Sequence, residues 1–414
     1  MSSYIIVIYT LYFLTLYCVG KTYLLIITEV KHFCIALVLL VFSLRVNSQI
    51  VRVDINPSSQ PKGSLLLSDL SEQVEYIPLE TNDKCVVGKI TDFDVSDNYI
   101  AVSVYQTTEV FLFTKTGKFI TKIGKHGQGP GEFLYPSSVY IDEIKKFVYV
   151  HDFQKLLVYD FTGKHVASFS FVGRNINVLA YRNNQFITGA ISVNSNEDYF
   201  VYGIWNSSMK LIKQGVKGSS VEIKGKFNAG SHVGPPISCY IYKGFPYLKE
   251  SVLNDTIYQL NLNNEFLPKY IINSGRYRMT PEILGDTNHF FENSKRYVGG
   301  MYFYETSNFL LSKYSFNDTW IPCYFDKKSG KLLYFNSKEG IQDDYSGGID
   351  FWPSKQINDY WYAFYNASEL LDKFDKQKKI APKGPSETAL KIQSLIKNLD
   401  AEDNPVLIVV KLKQ

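Results

Sequence analysis

The sequence predicts an all-β fold: a β-propeller of six four-stranded sheets around an axis, closed by strands from both chain ends. Three observations predict it. Aromatic residues make up 15% of the 414 residues, with 31 Tyr and 28 Phe, and this enrichment suits pleated, half-buried surface rather than a helical bundle. A four-strand unit with a Thr-Gly-Lys turn recurs, its glycines Gly117 and Gly163 about 46 residues apart, near the roughly 40–50-residue period of propeller blades. Two strands without units of their own, Val74–Leu79 and Pro405–Leu412, stand at opposite ends of the chain.

The chain begins with an apolar leader, residues 1–48. Lys31-His32, the apolar run Phe33–Leu44 and then Arg45-Val46-Asn47-Ser48-Gln49 describe a secretory signal peptide cleaved after Ser48. The earlier apolar stretch Tyr4–Val19 reads either as a short membrane span, near the lower length limit, or as an upstream extension of the start. The expected product is an exported protein, periplasmic or at the cell surface, that meets the membrane only through an uncleaved leader. Residues 49–414 form the propeller domain.

Two units align directly. Ile90-TDFDVSDNYIAVSVYQTTEVFLFTKTGKFITKIG and Ser138-VYIDEIKKFVYVHDFQKLLVYDFTGKHVASFSF each give strand, acidic or Asn-containing turn, strand, polar turn, strand, Thr-Gly-Lys turn and strand. The runs Phe147–Val150 and Leu156–Tyr159 suit strands buried on both faces. Weaker copies run from Val178 to Lys213, Cys239 to Ile272 and Tyr297 to Phe335, and a sixth begins at Gly348 with Asp350-Phe351-Trp352-Pro353 and Tyr360–Phe364. Wider spacing in the middle reads as long loops at the junctions between units. Pairing Val74–Leu79 with Pro405–Leu412 in one sheet removes two open edges. Before the final strand, Ser368–Lys378 and Ser386–Leu399 read as short helices, the second with Ser386 as N-cap and an apolar stripe of Leu390, Leu395, Ile396 and Leu399. They read as an amphipathic cover.

Formal net charge is +4, of which Lys21, Lys31 and Arg45 against Glu29 place +2 in the leader. A nearly balanced body lacks the basic stripe that marks nucleic-acid binding, so that class is excluded. Beyond the leader the cysteines are Cys85, Cys239 and Cys323. An odd count leaves at least one unpaired within the chain, and no Cys-x-x-Cys spacing supports zinc.

At Gly124-KHGQGPGEFLYP-Pro136 the sequence resembles NHL-type repeats, in which a glycine-rich loop ending Gly-x-Phe-x-x-Pro leads into the next blade. More closely it resembles the secreted six-bladed propeller proteins of Bacteroidota. The landmarks are Ile77–Thr81 (Ile-Pro-Leu-Glu-Thr), Gly127–Phe133 (Gly-Gln-Gly-Pro-Gly-Glu-Phe), Asp343–Pro353 (Asp-Asp-x-x-Gly-Gly, then Phe-Trp-Pro) and Asn404–Leu407 (Asn-Pro-Val-Leu). The match spans about residues 70–414. That family carries no assigned activity, so the resemblance implies fold and export rather than chemistry.

Propeller geometry places candidate ligand contacts on the face built by junction loops and by loops between second and third strands. Gly127, Gly129 and Gly131, with Pro130, could cradle an anion with backbone N–H groups or could simply be a tight crossing that needs glycine. Glu132 in the same loop is an acid or an anchor. His126, His151 and His232 could assemble a metal site from separate blades, as in amidating lyases of the NHL type. Asp152 follows His151 into a second loop. Asp343 and Asp344 before Gly347-Gly348 could bind Ca²⁺ through oxygens or form a plain acidic turn. Arg174, Arg276 and Arg278 beside Tyr135 and Tyr277 could grip a sugar, carboxylate or peptide. No Gly-x-Ser-x-Gly elbow is present. The leading expectation is a binding or scaffolding module without resident cofactor, for a glycan, peptide or partner protein. The alternative is a lyase or hydrolase with a channel-bound divalent metal.

Overall fold

The computed structural model describes residues 50–152, 155–170, 176–190, 200–217, 237–250, 253–286, 288–337, 340–376 and 381–414. The leader, Arg174 and His232 lie outside the described residues.

After β1 (Val51–Asp54) and β2 (Ser71–Pro78) the chain builds antiparallel sheets in sequence order. The first holds β3 (Ile90–Val95), β4 (Tyr99–Val104), β5 (Val110–Thr114) and β6 (Phe119–Lys122). The second holds β7 (Pro136–Asp142), β8 (Phe147–Asp152), β9 (Lys155–Asp160) and β10 (His165–Ser170). The third holds β11 (Ile176–Arg182), β12 (Gln185–Ala190), β13 (Phe200–Asn206) and β14 (Leu211–Lys217). Next come β15 (Ile237–Tyr242), β16 (Phe245–Glu250), β17 (Thr256–Leu260) and β18 (Phe266–Asn273), then a sheet of β19 (Gly299–Glu305), β20 (Phe309–Phe316), β21 (Thr319–Asp326) and β22 (Lys331–Tyr334). Finally β23 (Lys355–Ile357), β24 (Tyr360–Tyr365) and β25 (Val406–Leu412) are joined by β2 from the other end of the chain. This last quartet and β15–β18 belong to one nine-stranded sheet, linked by a single parallel pair, Ile241 with Ile357. β1 is laid parallel on β18 as its outermost strand.

The strands are apolar on both faces because alternate side chains serve different neighbours. On β4, Ile100, Val102 and Val104 share a core with Leu407 and Val409 of β25, while Ala101 joins Val139 and Ile141 of β7. Further cores link the second sheet to the third and the third to β15–β18. Others link β15–β18 to β19–β22, and those strands to the final quartet. These are blade-like sheets stacked face to face.

β2 and β25 pair antiparallel from Ser71 with Leu412 to Pro78 with Val406. Asn404, two residues beyond, is buried and locks the crossing. Its Oδ1 accepts from Val87 N at 2.7 Å, and its Nδ2 donates to Glu80 O at 2.7 Å and Cys85 O at 2.9 Å. Replacing Asn404 with Ala strands one buried N–H and two carbonyls, so Asn404→Ala is expected to cost about 3 kcal/mol. Equilibrium urea denaturation measures this, and a loss below about 1 kcal/mol would refute the reading.

The structure corrects several expectations. Helices form at Ala367–Lys376 and Ser386–Asn398, and the second is entered from Pro385 with no side-chain cap, so Ser386 is not the N-cap. Its buried residues are Ala389 and Ile392, and Leu390 faces solvent. The buried stripe therefore runs through Ala389 and Ile392 instead of Leu390, while Ile396 and Leu399 pack against the core. Asp350–Pro353 adds no strand to the last sheet. Phe351 forms one isolated bridge with Ile341 and is buried, and the first strand of the last quartet is only Lys355–Ile357. Cys85, Cys239 and Cys323 are all free thiols.

Candidate functional site

In these sheets the turns joining first to second strands lie at the end opposite the junction loops. The turns after β3, β7 and β11 and the ends of β15 and β23 surround a cleft of about 770 Å³. The expected ligand face was the other one. Local chemistry makes these turns tight: Asn183 and Asn184 have φ of 50° and 60°, and Lys243 and Gly244 have φ of 48° and 81°. Two successive left-handed residues are what a two-residue hairpin turn needs, and Asn tolerates that region best after Gly.

Neighbouring turns hold one another in place. Glu143 accepts from Asn98 N at 3.2 Å, Tyr181 Oη donates to Asp142 at 2.6 Å, Arg182 Nε to Gly244 O at 3.3 Å, and Gly244 N to Asn358 at 2.8 Å. The cleft wall is mixed in charge. Lys115 donates to Ser96 O at 3.1 Å and lies over the Tyr362 ring at 5.4 Å. Burial holds Lys115 below the ordinary lysine range, although Asp97, Glu75, Asp94 and Glu143 pull the other way. Asp94, on the first strand β3, accepts from Ile141 N at 2.9 Å, and burial pushes its carboxyl up to about 6. Behind it, half-buried Lys355 donates to Asp92 at 2.9 Å, and Asp92 also accepts from Val139 N. Projecting apolar side chains flank this rim. Ile144 is 97% exposed, and Leu262, on a smaller pocket that shares Arg182 and Asn183 with the cleft, is 76% exposed.

At the junction end the structure places the expected residues mainly in loop-holding contacts. Gly127 N bonds Phe133 O at 3.0 Å, and Gly129 N bonds Glu132 Oε2 at 2.8 Å. A side chain at Gly127 would reach Glu132 Oε2 at 2.0 Å, and one at Gly131, where φ is 72°, would reach the His165 ring at 2.4 Å. With Pro130 between them, these glycines wrap the loop around Glu132. Lys125, 2.8 Å away, and Gly129 N hold that carboxyl below its usual range. His126 contacts Thr108 Oγ1 at 2.6 Å on the surface. His151 is buried with Nδ1 2.8 Å from Ser137 Oγ. Buried Asp152 accepts from Leu134 N at 3.2 Å and Tyr135 N at 2.8 Å, leaving the Tyr135 side chain exposed.

The remaining candidates sit farther out. Arg276 covers its neighbour Tyr277, with Nη2 donating to the phenol at 2.8 Å, and Tyr277 packs on Phe316 beside Ser58. Arg278 pins the β16–β17 loop through Asp255 at 2.8 Å and Leu253 O at 3.1 Å. Asp343 accepts from the N–H groups of Tyr345, Ser346 and Gly348, yet burial still raises its pKa. Burial also pushes Asp344 upward, but Lys383 at 2.7 Å and Ser68 outweigh it and leave the group below its usual range. Among the described residues no three His, Cys, Asp or Glu side chains converge as metal ligands, and no helix is long and apolar enough to cross a membrane.

The fold has known relatives in structure. A Bacteroides fragilis protein described as exported matches with a TM-score of 0.65 and 19% identity over 88% of this chain and 100% of that one. A DUF4221-family protein of Bacteroides vulgatus matches at a TM-score of 0.46 and 9% identity, over 83% and 97% of the two chains. The WD40 domain of fission-yeast SCAP matches at 0.36 and 12% identity, over 76% and 74%. No curated protein sequence matches. The family model for a domain of unknown function, DUF4934, matches residues 50–411. The chain belongs to the DUF4934 family.

Proposed function

We propose that the stacked sheets are six blades of one ring, closed where β2 joins β23–β25, and that the protein is an exported binding module without catalysis of its own. Its ligand is a peptide or a segment of a partner protein, seated at the cleft ringed by first-to-second-strand turns. The observation that carries this is the company the cleft keeps: a polar hollow of about 770 Å³ flanked by Ile144, 97% exposed, and Leu262. Apolar side chains projecting beside backbone turns and mixed charges suit a polypeptide, which offers both apolar anchors and amide groups. The leader read from the sequence supports export, and the Bacteroides fragilis neighbour described as exported is consistent with it.

A peptide library screened against the purified protein tests the reading. Ile144→Asp and Arg182→Ala are expected to weaken the best binder at least tenfold, while Ile144→Asp leaves the melting temperature unchanged because the side chain is free of packing. A binder indifferent to both and lost in Tyr135→Ala would move the site to the junction loops and overturn the placement. Turnover of a bound peptide would overturn the non-catalytic part.

A further inference from the structure

The sheet β19–β22 carries two large rings at its surface, toward the junction end. Tyr302 on β19 is 42% exposed and Trp320 on β21 is 48% exposed. Their centroids lie 5.5 Å apart, with the ring planes at 44°. Exposed rings gathered together, rather than scattered singly, mark an interaction surface. Strand register explains the grouping. Lys313 of β20 lies opposite Tyr302 on one side and Pro322 on the other, while Trp320 lies opposite Ser315. Trp320 is therefore the diagonal neighbour of Lys313 on one face of the sheet. Gly300 leaves room for the ring: its φ is 36°, and a side chain there would stand 3.0 Å from Trp320 Cη2.

Lys313 stands among three rings. Its ammonium is 5.7 Å from the Tyr302 centroid, 5.6 Å from that of Trp320 and 4.8 Å from that of Trp352. Trp352 belongs to the Phe-Trp-Pro landmark; it packs against the core that holds Phe351 and stacks on Phe335, which fixes the third wall. Ring faces attract a cation but do not neutralise it. The half-buried Lys327 and Lys355 each hold a carboxylate, at 2.6 Å and 2.9 Å. Among the described residues Lys313 has no such partner, and burial holds it below the ordinary lysine range with no acid pulling the other way.

We propose that Tyr302, Lys313, Trp320 and Trp352 form a binding site for an acidic sugar, a uronate whose ring lies on Tyr302 and Trp320 and whose carboxylate pairs with the Lys313 ammonium. Two demands select this ligand. The exposed rings call for a flat apolar face, and a pyranose offers its C–H face while its hydroxyls stay in water at the rim. The uncompensated ammonium calls for an anion, and a charge-assisted hydrogen bond to a carboxylate is among the strong ones. In a uronate that carboxylate is bonded directly to the sugar ring, so one residue meets both demands. A neutral sugar would leave the cation unpaired, and a hydrocarbon chain would strip it of water without compensation.

The test is calorimetry of the purified protein against tetramers of galacturonate, mannuronate and guluronate, each beside its uncharged methyl ester. At least one acid tetramer is expected to bind at least tenfold more tightly than its ester and to weaken as salt is raised. Trp320→Ala and Tyr302→Ala should each weaken it at least tenfold. Lys313→Met, close to lysine in volume, should erase the preference over the ester and leave the melting temperature within a few degrees of wild type, which separates lost pairing from lost fold. Failure of all three acids to bind, an ester bound as well as its acid, or affinity unmoved in both Trp320→Ala and Lys313→Met would overturn the proposal. Ile144→Asp, at the opposite end of the sheets, should leave the sugar affinity unchanged, so this reading and the peptide cleft fail separately.

Discussion

Removing residues 405–414 is expected to abolish cooperative folding. β25 contributes Val406, Leu407, Ile408, Val409, Val410 and Leu412, each 5% exposed or less. Fully burying such a side chain is worth about 1.5–3 kcal/mol, so six together rival the whole net stability of a domain, roughly 5–15 kcal/mol. The loss reaches two cores at once, because Leu407 and Val409 face the first sheet while Val406, Ile408, Val410 and Leu412 face the core shared with β19–β22. It also opens both β24 and β2, which pair with β25 on its two sides, and unpaired central edges invite aggregation. The truncated chain should show no melting transition and should elute as aggregate. A permuted chain with Pro405–Leu412 moved ahead of Ser71 by a short linker should recover part of the transition, because the strand is supplied again. A truncated protein melting within a few degrees of wild type would show that β25 is dispensable.

That dependence on the chain ends was legible in the sequence, since two orphan strands at the termini had nowhere else to pair. The four-strand rhythm was legible too, because Gly117 and Gly163 mark equivalent turns. The site was less so, and the reason is physical. The family landmarks are scaffold. Asn404 and Glu80 clasp the crossing of the ends, Glu132 organises the glycine loop, and Asp343 and Asp344 gather N–H, hydroxyl and lysine donors. A carboxylate beside glycines looks alike in sequence whether it awaits a ligand or already holds its own loop. The cleft is instead lined by hairpin-turn residues such as Ile144, Asn183, Asn184 and Asn358, which carry no motif. One signal in the sequence does point to such roles. β8, β16 and β19 are apolar runs that end in an acid, Asp152, Glu250 and Glu305, and each of these is buried. A carboxylate closing an apolar strand has to find donors, and the donor it finds decides its role.

Glu305 is the case where the donors are all present, and Glu305→Ala is expected to be the most damaging single substitution, at about 3–5 kcal/mol. Its carboxylate accepts from Tyr240 Oη at 3.0 Å, Tyr270 Oη at 2.7 Å and Lys327 Nζ at 2.6 Å. Its backbone N–H and carbonyl are both paired with the Gln356 amide at 2.6 Å. One residue therefore joins β15, β18, the β21–β22 turn and β23, which come from three successive blade-like sheets. Truncation leaves two buried phenols without an acceptor and a mostly buried ammonium without its counter-charge. Lys327, which burial already holds below the ordinary lysine range against the pull of Glu305, would fall further. The price of the orphaned charge can be separated from that of the phenols by a double-mutant cycle. Lys327→Met in the Glu305→Ala background should restore at least about 1 kcal/mol, whereas in the wild-type background it should destabilise, because it then strands the carboxylate instead. Urea denaturation of the four proteins reads the cycle. Additive losses would mean that the 2.6 Å pair contributes nothing beyond packing, and the junction of these sheets would then be held by the phenols and the Gln356 amide.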